Sequence, residues 1–230
     1  MQFFIFVLAI CFFIFLFVLY NLSKDDFLII RKDIALESLF NTAFSVAFIS
    51  LFFARFFYVI FNPTPILKTF LGFMVFPYFP GLSLAGGLIG GLSYLLIHIN
   101  FKKMPIGRIF DIFILSLSVV LPIGILGTIL LTGFKNALSL GLLFLINLII
   151  SIILFKIIWP YSQKNNLKEG SLGIIFLTAL SLINYLFNII TNWGRVVLFS
   201  KDNLLWVIIL MASIVFIVKQ EIAIRSSIKK

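Results

Sequence analysis

Seven apolar runs, each near the length of a membrane crossing, occupy most of this chain: 3–20, 39–61, 82–99, 109–132, 137–158, 171–191 and 203–219. A hydrocarbon core of roughly 30 Å takes about 20 apolar residues of α-helix. Of the 230 residues 62% are hydrophobic and only 11% are charged, against roughly 25% charged in an ordinary soluble domain. No soluble fold could hide that surface. The expectation is an all-α integral membrane protein, a seven-transmembrane-helix bundle forming a single polytopic membrane domain over 1–230. Ile66–Phe79 is apolar but too short to cross, and Pro63, Pro65, Pro77 and Pro80 surround it. It reads as one short interfacial or re-entrant segment.

The net charge of +10 invites a nucleic-acid reading. The basic residues are instead spread over short loops between apolar runs, where membrane topology requires them. The loops after runs one, three and five and the C-terminal tail, counted with Lys156 and Lys219 at the adjoining ends of runs five and seven, hold 13 Lys and Arg, while the loops after runs two, four and six hold 4. That asymmetry puts the N-terminus outside and the C-terminus inside. The single cysteine, Cys11, and the single histidine, His98, leave no disulfide framework and no metal site. Nothing in the sequence calls for a cofactor. Cys11 ends Leu-Ala-Ile-Cys, but a lipidation box needs a small residue where Ile10 stands, and no basic n-region precedes it. An inert buried thiol is the expectation. His98, at the inner end of run three with no acid nearby, reads as an interfacial residue.

Some of the polar groups within the runs carry a reading. Arg55 sits in Phe52-Phe53-Ala54-Arg55-Phe56-Phe57-Tyr58. An intramembrane arginine marks a functional site with a partner, or it snorkels to headgroups from near the end of its helix. Tyr58, three residues on, shares its face. Asn184, Asn188 and Asn192 form a polar stripe at helical period, read first as interhelical hydrogen bonding. Asp111, near the start of run four, complements the dipole of its own helix. The run Ser83-Leu84-Ala85-Gly86-Gly87-Leu88-Ile89-Gly90-Gly91 gives a flat helix face that a neighbouring backbone can approach closely.

These elements, taken in order, resemble the prolipoprotein diacylglyceryl transferase family. Its Gly-Arg-x-x-Tyr element is matched by Ala54-Arg55-Phe56-Phe57-Tyr58, followed by Asn62. Its Ser-x-His-Gly-Gly-Leu-x-Gly is matched by Ser83–Gly90, its basic loop and Asp by Lys102, Lys103 and Asp111, and its Gly-Arg-x-Gly-Asn by Gly124–Thr128. The family's late Tyr, Arg, Glu and Arg fall on Leu180, Asn184, Asn188 and Thr191. The departures are as clear. The family His is Ala85, its signature Arg and Asn are Ile125 and Thr128, and its late Arg and Glu are Asn184 and Asn188. Its His-Pro-x-Gln-x-Tyr-Glu element is not recognisable around Lys135–Gly141, and the connection after run four is too short for its outer head segment.

The resemblance implies a multi-pass protein of the bacterial cytoplasmic (inner) membrane. Such enzymes move diacylglyceryl from phosphatidylglycerol to a prolipoprotein cysteine. The implied partners are membrane phospholipid of the phosphatidylglycerol type and a lipoprotein signal helix, with no nucleic acid. Expelling a phosphoglycerol group needs donors on the phosphate, and the thiol needs a base. Arg55 and Tyr58 could hold a lipid phosphate, with Arg195 as a second cation, and no base is visible. Two readings follow: a divergent transferase, or a non-catalytic relative that binds phospholipid or a signal helix. A small transporter component is a third, but paired broken helices in two halves are not found.

Overall fold

In a computed structural model of the chain, the described residues are 2–67, 69, 72–73, 81–131, 137–163, 167–191 and 200–228. They form helices α1 (Gln2–Lys24), α2 (Phe27–Arg31), α3 (Leu36–Phe61), α4 (Leu84–Phe101), α5 (Ile106–Leu131), α6 (residues 137–163), α7 (Ser171–Thr191) and α8 (Lys201–Ile228). Six of these, α1 and α3–α7, are long and apolar enough to cross a membrane. The apolar part of α8, Asn203–Lys219, is shorter. No strand occurs among the described residues.

Helix α5 is the central element. Ile109, Ile112, Phe113, Ile114 and Leu115 are all buried, and they join one core with Leu19 of α1, Leu95 and Ile99 of α4, and Leu172, Phe176 and Leu180 of α7. The outer helices turn large side chains outward: Phe13 and Phe17 are 69% and 68% exposed and Leu138 is 84% exposed. In water those faces would be unstable; against hydrocarbon they cost nothing.

The tightest packing joins α3 and α4. Gly86, Gly87, Gly90 and Gly91 turn toward α3, where they meet Phe57, Ala54, Phe53 and Ser50. A Cβ at Gly90 would lie 2.3 Å from the Cβ of Phe53, so the helix axes are closer than any side chain there would permit. The Ser50 hydroxyl donates across the seam to the Gly87 carbonyl at 2.9 Å. Glycines also bring α1 against α5, with Gly127 facing Val7 and Gly124 facing the Cys11 sulfur.

Prolines inside helices leave carbonyls without donors, and the bundle supplies them. Pro122 of α5 has no N–H for the Ser118 carbonyl, and the Ser151 hydroxyl of α6 donates to that oxygen. In α6 the turn Leu154–Ile158 widens to a π-helix just ahead of Pro160. The turn swings Trp159 over the Arg108 guanidinium, 4.4 Å from the ring centroid.

Arg108, one residue ahead of run 109–132, belongs to α5 and pairs with Asp26 at 2.6 Å. Asp26 in turn caps α2 by accepting from the N–H groups of Leu28 and Ile29. Asp111 also differs from expectation. Its carboxylate accepts from the N–H groups of Gly170 and Gly173, both at 2.7 Å, so it caps α7 rather than serving its own helix. A carboxylate at a helix N-terminus meets both orphan donors and the dipole.

The α3–α4 seam gives a sharp expectation for stability. Gly90→Ala should destabilise the protein by roughly 1–3 kcal/mol through overpacking. Gly141→Ala on α6, where an added Cβ meets nothing within 4 Å, should be neutral or stabilising by up to about 1 kcal/mol. Unfolding of the purified chain in mixed micelles measures both.

Candidate functional site

The end of the bundle where α3 finishes and α4 begins holds Arg55, Tyr58 and the start of the glycine run at Ser83. Chain that is neither helix nor closed barrel cannot meet lipid with its backbone groups unpaired. Between Phe61 and Leu84 the described residues 62–67, 69 and 81–83 lie outside helix, and their hydrogen bonds show how they are held. Thr69 bridges its own turn, donating to the Ile66 carbonyl at 2.7 Å and accepting from the Gly72 N–H at 3.1 Å. Ser83 ties the far end to α3 through its N–H, which donates to the Ala54 carbonyl at 3.0 Å. Its hydroxyl caps α4 at the Gly86 N–H.

Arg55 is the centre of this arrangement. It is 3% exposed, and its guanidinium points at backbone. Nε donates to the Phe73 carbonyl at 3.2 Å, Nη1 to the Gly81 carbonyl at 2.9 Å, and Nη2 to the Gly72 carbonyl at 2.7 Å. Among the described residues no carboxylate lies within ion-pair distance of it. Three carbonyl dipoles therefore meet the charge, each a charge-assisted bond worth about 1.5–3 kcal/mol. The side chain does not snorkel; it clamps the stretch that follows its own helix.

Tyr58 completes the clamp from the side. Its ring lies 5.9 Å from the Arg55 Cζ and packs against Gly81, where any Cβ would fall 2.0 Å from a ring carbon. Gly81 also has φ +146°, a conformation open to glycine. The three carbonyl partners, on Gly72, Phe73 and Gly81, were invisible to motif reading because they are backbone atoms. A signal existed nonetheless. A proline-bracketed apolar stretch too short to cross needs donors, and Arg55 is the nearest intramembrane source.

The other expected site residues divide. Ala85, where the family carries His, is buried in the core. Thr128, where it carries Asn, is exposed and bonds its own helix at the Ile125 carbonyl. Asn184 donates to the Leu180 carbonyl of α7, while Asn188 donates across to the Asn203 side chain of α8 at 2.9 Å. Arg195 and Asn192 lie outside the described residues. Between α1, α3, α4 and α5 runs an apolar crevice of about 70 Å³ lined by Phe15, Val46, Gly87, Leu92 and Phe113. Small-molecule sites are usually about 300–1,000 Å³. Its one polar wall group, Ser50, is already bonded to Gly87. Among the described residues no group of three His, Cys, Asp or Glu could hold a metal ion.

A multi-pass helical membrane protein in which an arginine of the second long helix holds the carbonyls of Gly72, Phe73 and Gly81, ahead of the third, is the class this geometry defines. The chain matches the family model of prolipoprotein diacylglyceryl transferase over residues 1–219 and belongs to that family. No curated protein and no solved structure matches it.

Arg55→Ala should lower stability by about 3 kcal/mol or more, from three lost charge-assisted bonds and their orphaned carbonyls. It should also open residues 62–82 to limited proteolysis. Arg55→Lys keeps the charge but lacks the planar fork and should give an intermediate result in both assays.

Proposed function

We propose that this protein is a member of the transferase family that keeps the scaffold and its phospholipid ligand class but does not itself transfer diacylglyceryl. The observation that carries this reading is the engagement of Arg55. It is the one intramembrane cation of the family motifs retained in the described residues, and three of its N–H groups are committed to backbone carbonyls. Transfer would need donors on a lipid phosphate and a base for the incoming thiol. The motif positions that could supply them are Ala85, Ile125, Thr128, Asn184 and Asn188. The ligand class rests on family membership. In this reading the whole chain is one polytopic domain of a bacterial inner membrane. Helix α8 makes the seventh crossing, with the N-terminus outside and the more basic loops inside.

A divergent but active transferase is the second reading. The retained Arg55, Tyr58 and glycine run favour it, and Arg195 is available in the sequence as another cation. One experiment separates the two. The full chain is expressed in cells depleted of their own transferase, and in parallel the purified protein is incubated with phosphatidylglycerol and a cysteine-bearing prolipoprotein peptide. The proposal expects no rescue of growth and no diacylglyceryl on the thiol. Rescue, or transfer above the no-protein background, overturns it.

A further inference from the structure

The end of the bundle opposite Arg55 carries a surface of exposed cations and large apolar side chains. Ser38 and Arg55 lie at the two ends of α3, about 25 Å apart along the helix. At the Ser38 end two connections sit side by side, one running α1–α2–α3 and the other α4–α5. The Lys102 ammonium joins them by donating to the Ser38 hydroxyl at 3.2 Å. Each connection presents exposed cations next to bulky exposed apolar groups. The first has Arg31 and Lys32 beside Phe27 and Ile30, which are 73% and 62% exposed. The second has Lys102 and Lys103 beside Phe101, which is 82% exposed.

The two connections are also built alike. Helix α2 ends with the Asp33 and Ile34 N–H groups turned back to the Ile30 and Ile29 carbonyls. Helix α4 ends with those of Lys103 and Met104 turned back to Asn100 and Ile99. Both turns need a left-handed residue, and Asp33 (φ +51°) and Lys103 (φ +54°) fill the role. Glycine is the residue that adopts this conformation freely. A lysine there strains the backbone, and at Lys103 its side chain stands in solvent beside Lys102.

Helix dipoles account for cations at C-caps such as Lys32 and Lys102. They do not account for a strained Lys103 or for three large apolar side chains exposed at the same level. A membrane interface accounts for all of these, because apolar groups enter the acyl boundary while cations meet headgroup phosphates. The acids nearby are few. Asp25 is paired with Lys24 at 4.0 Å, Asp33 and Glu37 are exposed, and Glu169, also exposed, packs against Gly107 at the start of α5. Among the described residues no acid lies within ion-pair distance of Arg31, Lys32, Lys102 or Lys103.

We propose that these two connections form a binding site for the headgroups of anionic membrane phospholipid, with Lys102, Lys103, Arg31 and Lys32 holding the phosphate and Phe27, Ile30 and Phe101 anchoring the site in the bilayer. The site is separate from the Arg55 end and stands whether or not the protein transfers diacylglyceryl. The test places the full chain in nanodiscs of equal phosphatidylglycerol and phosphatidylcholine and counts the lipids retained on release into a mass spectrometer. The wild-type chain should retain phosphatidylglycerol in excess. Lys102→Gln and Lys103→Gly should each lower that preference about fivefold. Lys103→Gly also relieves the backbone strain, so its unfolding temperature should not fall and lost retention cannot be laid to misfolding. Lys201→Gln, on the exposed start of α8 at the other end, should leave the preference unchanged. The proposal is overturned if the Lys102/Lys103 double variant keeps the wild-type preference, or if Lys201→Gln lowers it as much.

Discussion

Backbone that leaves its helix inside a membrane must find hydrogen-bond partners within the protein, and one side chain meets that demand here. Arg55 gathers the carbonyls of Gly72, Phe73 and Gly81 around a single guanidinium. The rest of that end follows from the clamp. Tyr58 can lie on Gly81 because Gly81 has no side chain. Ser83 then sits where its N–H reaches the Ala54 carbonyl and its hydroxyl starts α4. Helix α4 thus begins in register with α3, so that Gly86, Gly87, Gly90 and Gly91 meet Phe57, Ala54, Phe53 and Ser50.

The same demand is met differently elsewhere. At the Pro122 break a hydroxyl from a neighbouring helix serves the freed carbonyl. At the start of α7 a buried carboxylate, Asp111, takes the orphan N–H groups. At α2 Asp26 does so while paired to Arg108, which Trp159 covers. Each buried charge among these has a structural partner, which is how a membrane bundle tolerates charge.

The long helices were legible in the sequence because a bilayer leaves little choice: run 39–61 became Leu36–Phe61 and run 109–132 became Ile106–Leu131. Helix ends ran past the apolar runs where polar residues cap or flank them, as at Lys24 and Ile106. Run 137–158 continued to Gln163 because a π turn absorbs the approach to Pro160. The partners of Asp111 and Arg108 were not legible, since they lie 59 and 82 residues away. The glycine run could be read as a close-approach face, because glycines at that spacing have few other uses in a membrane helix. Arg55 could be recognised as exceptional but not assigned, since a phosphate and a cluster of carbonyls ask for the same fork of donors.

That ambiguity lies at the centre of the account: in a family that acts on phospholipid, this chain uses its intramembrane arginine to hold its own backbone. Solid-state NMR in phosphatidylglycerol bilayers tests the claim directly. With guanidinium nitrogens in ¹⁵N and glycine carbonyls in ¹³C, the Arg55 signal is isolated by difference from Arg55→Lys. The account predicts strong dephasing of that signal by the glycine carbonyls and none by lipid ³¹P. Strong ³¹P dephasing with the carbonyl coupling lost would contradict it.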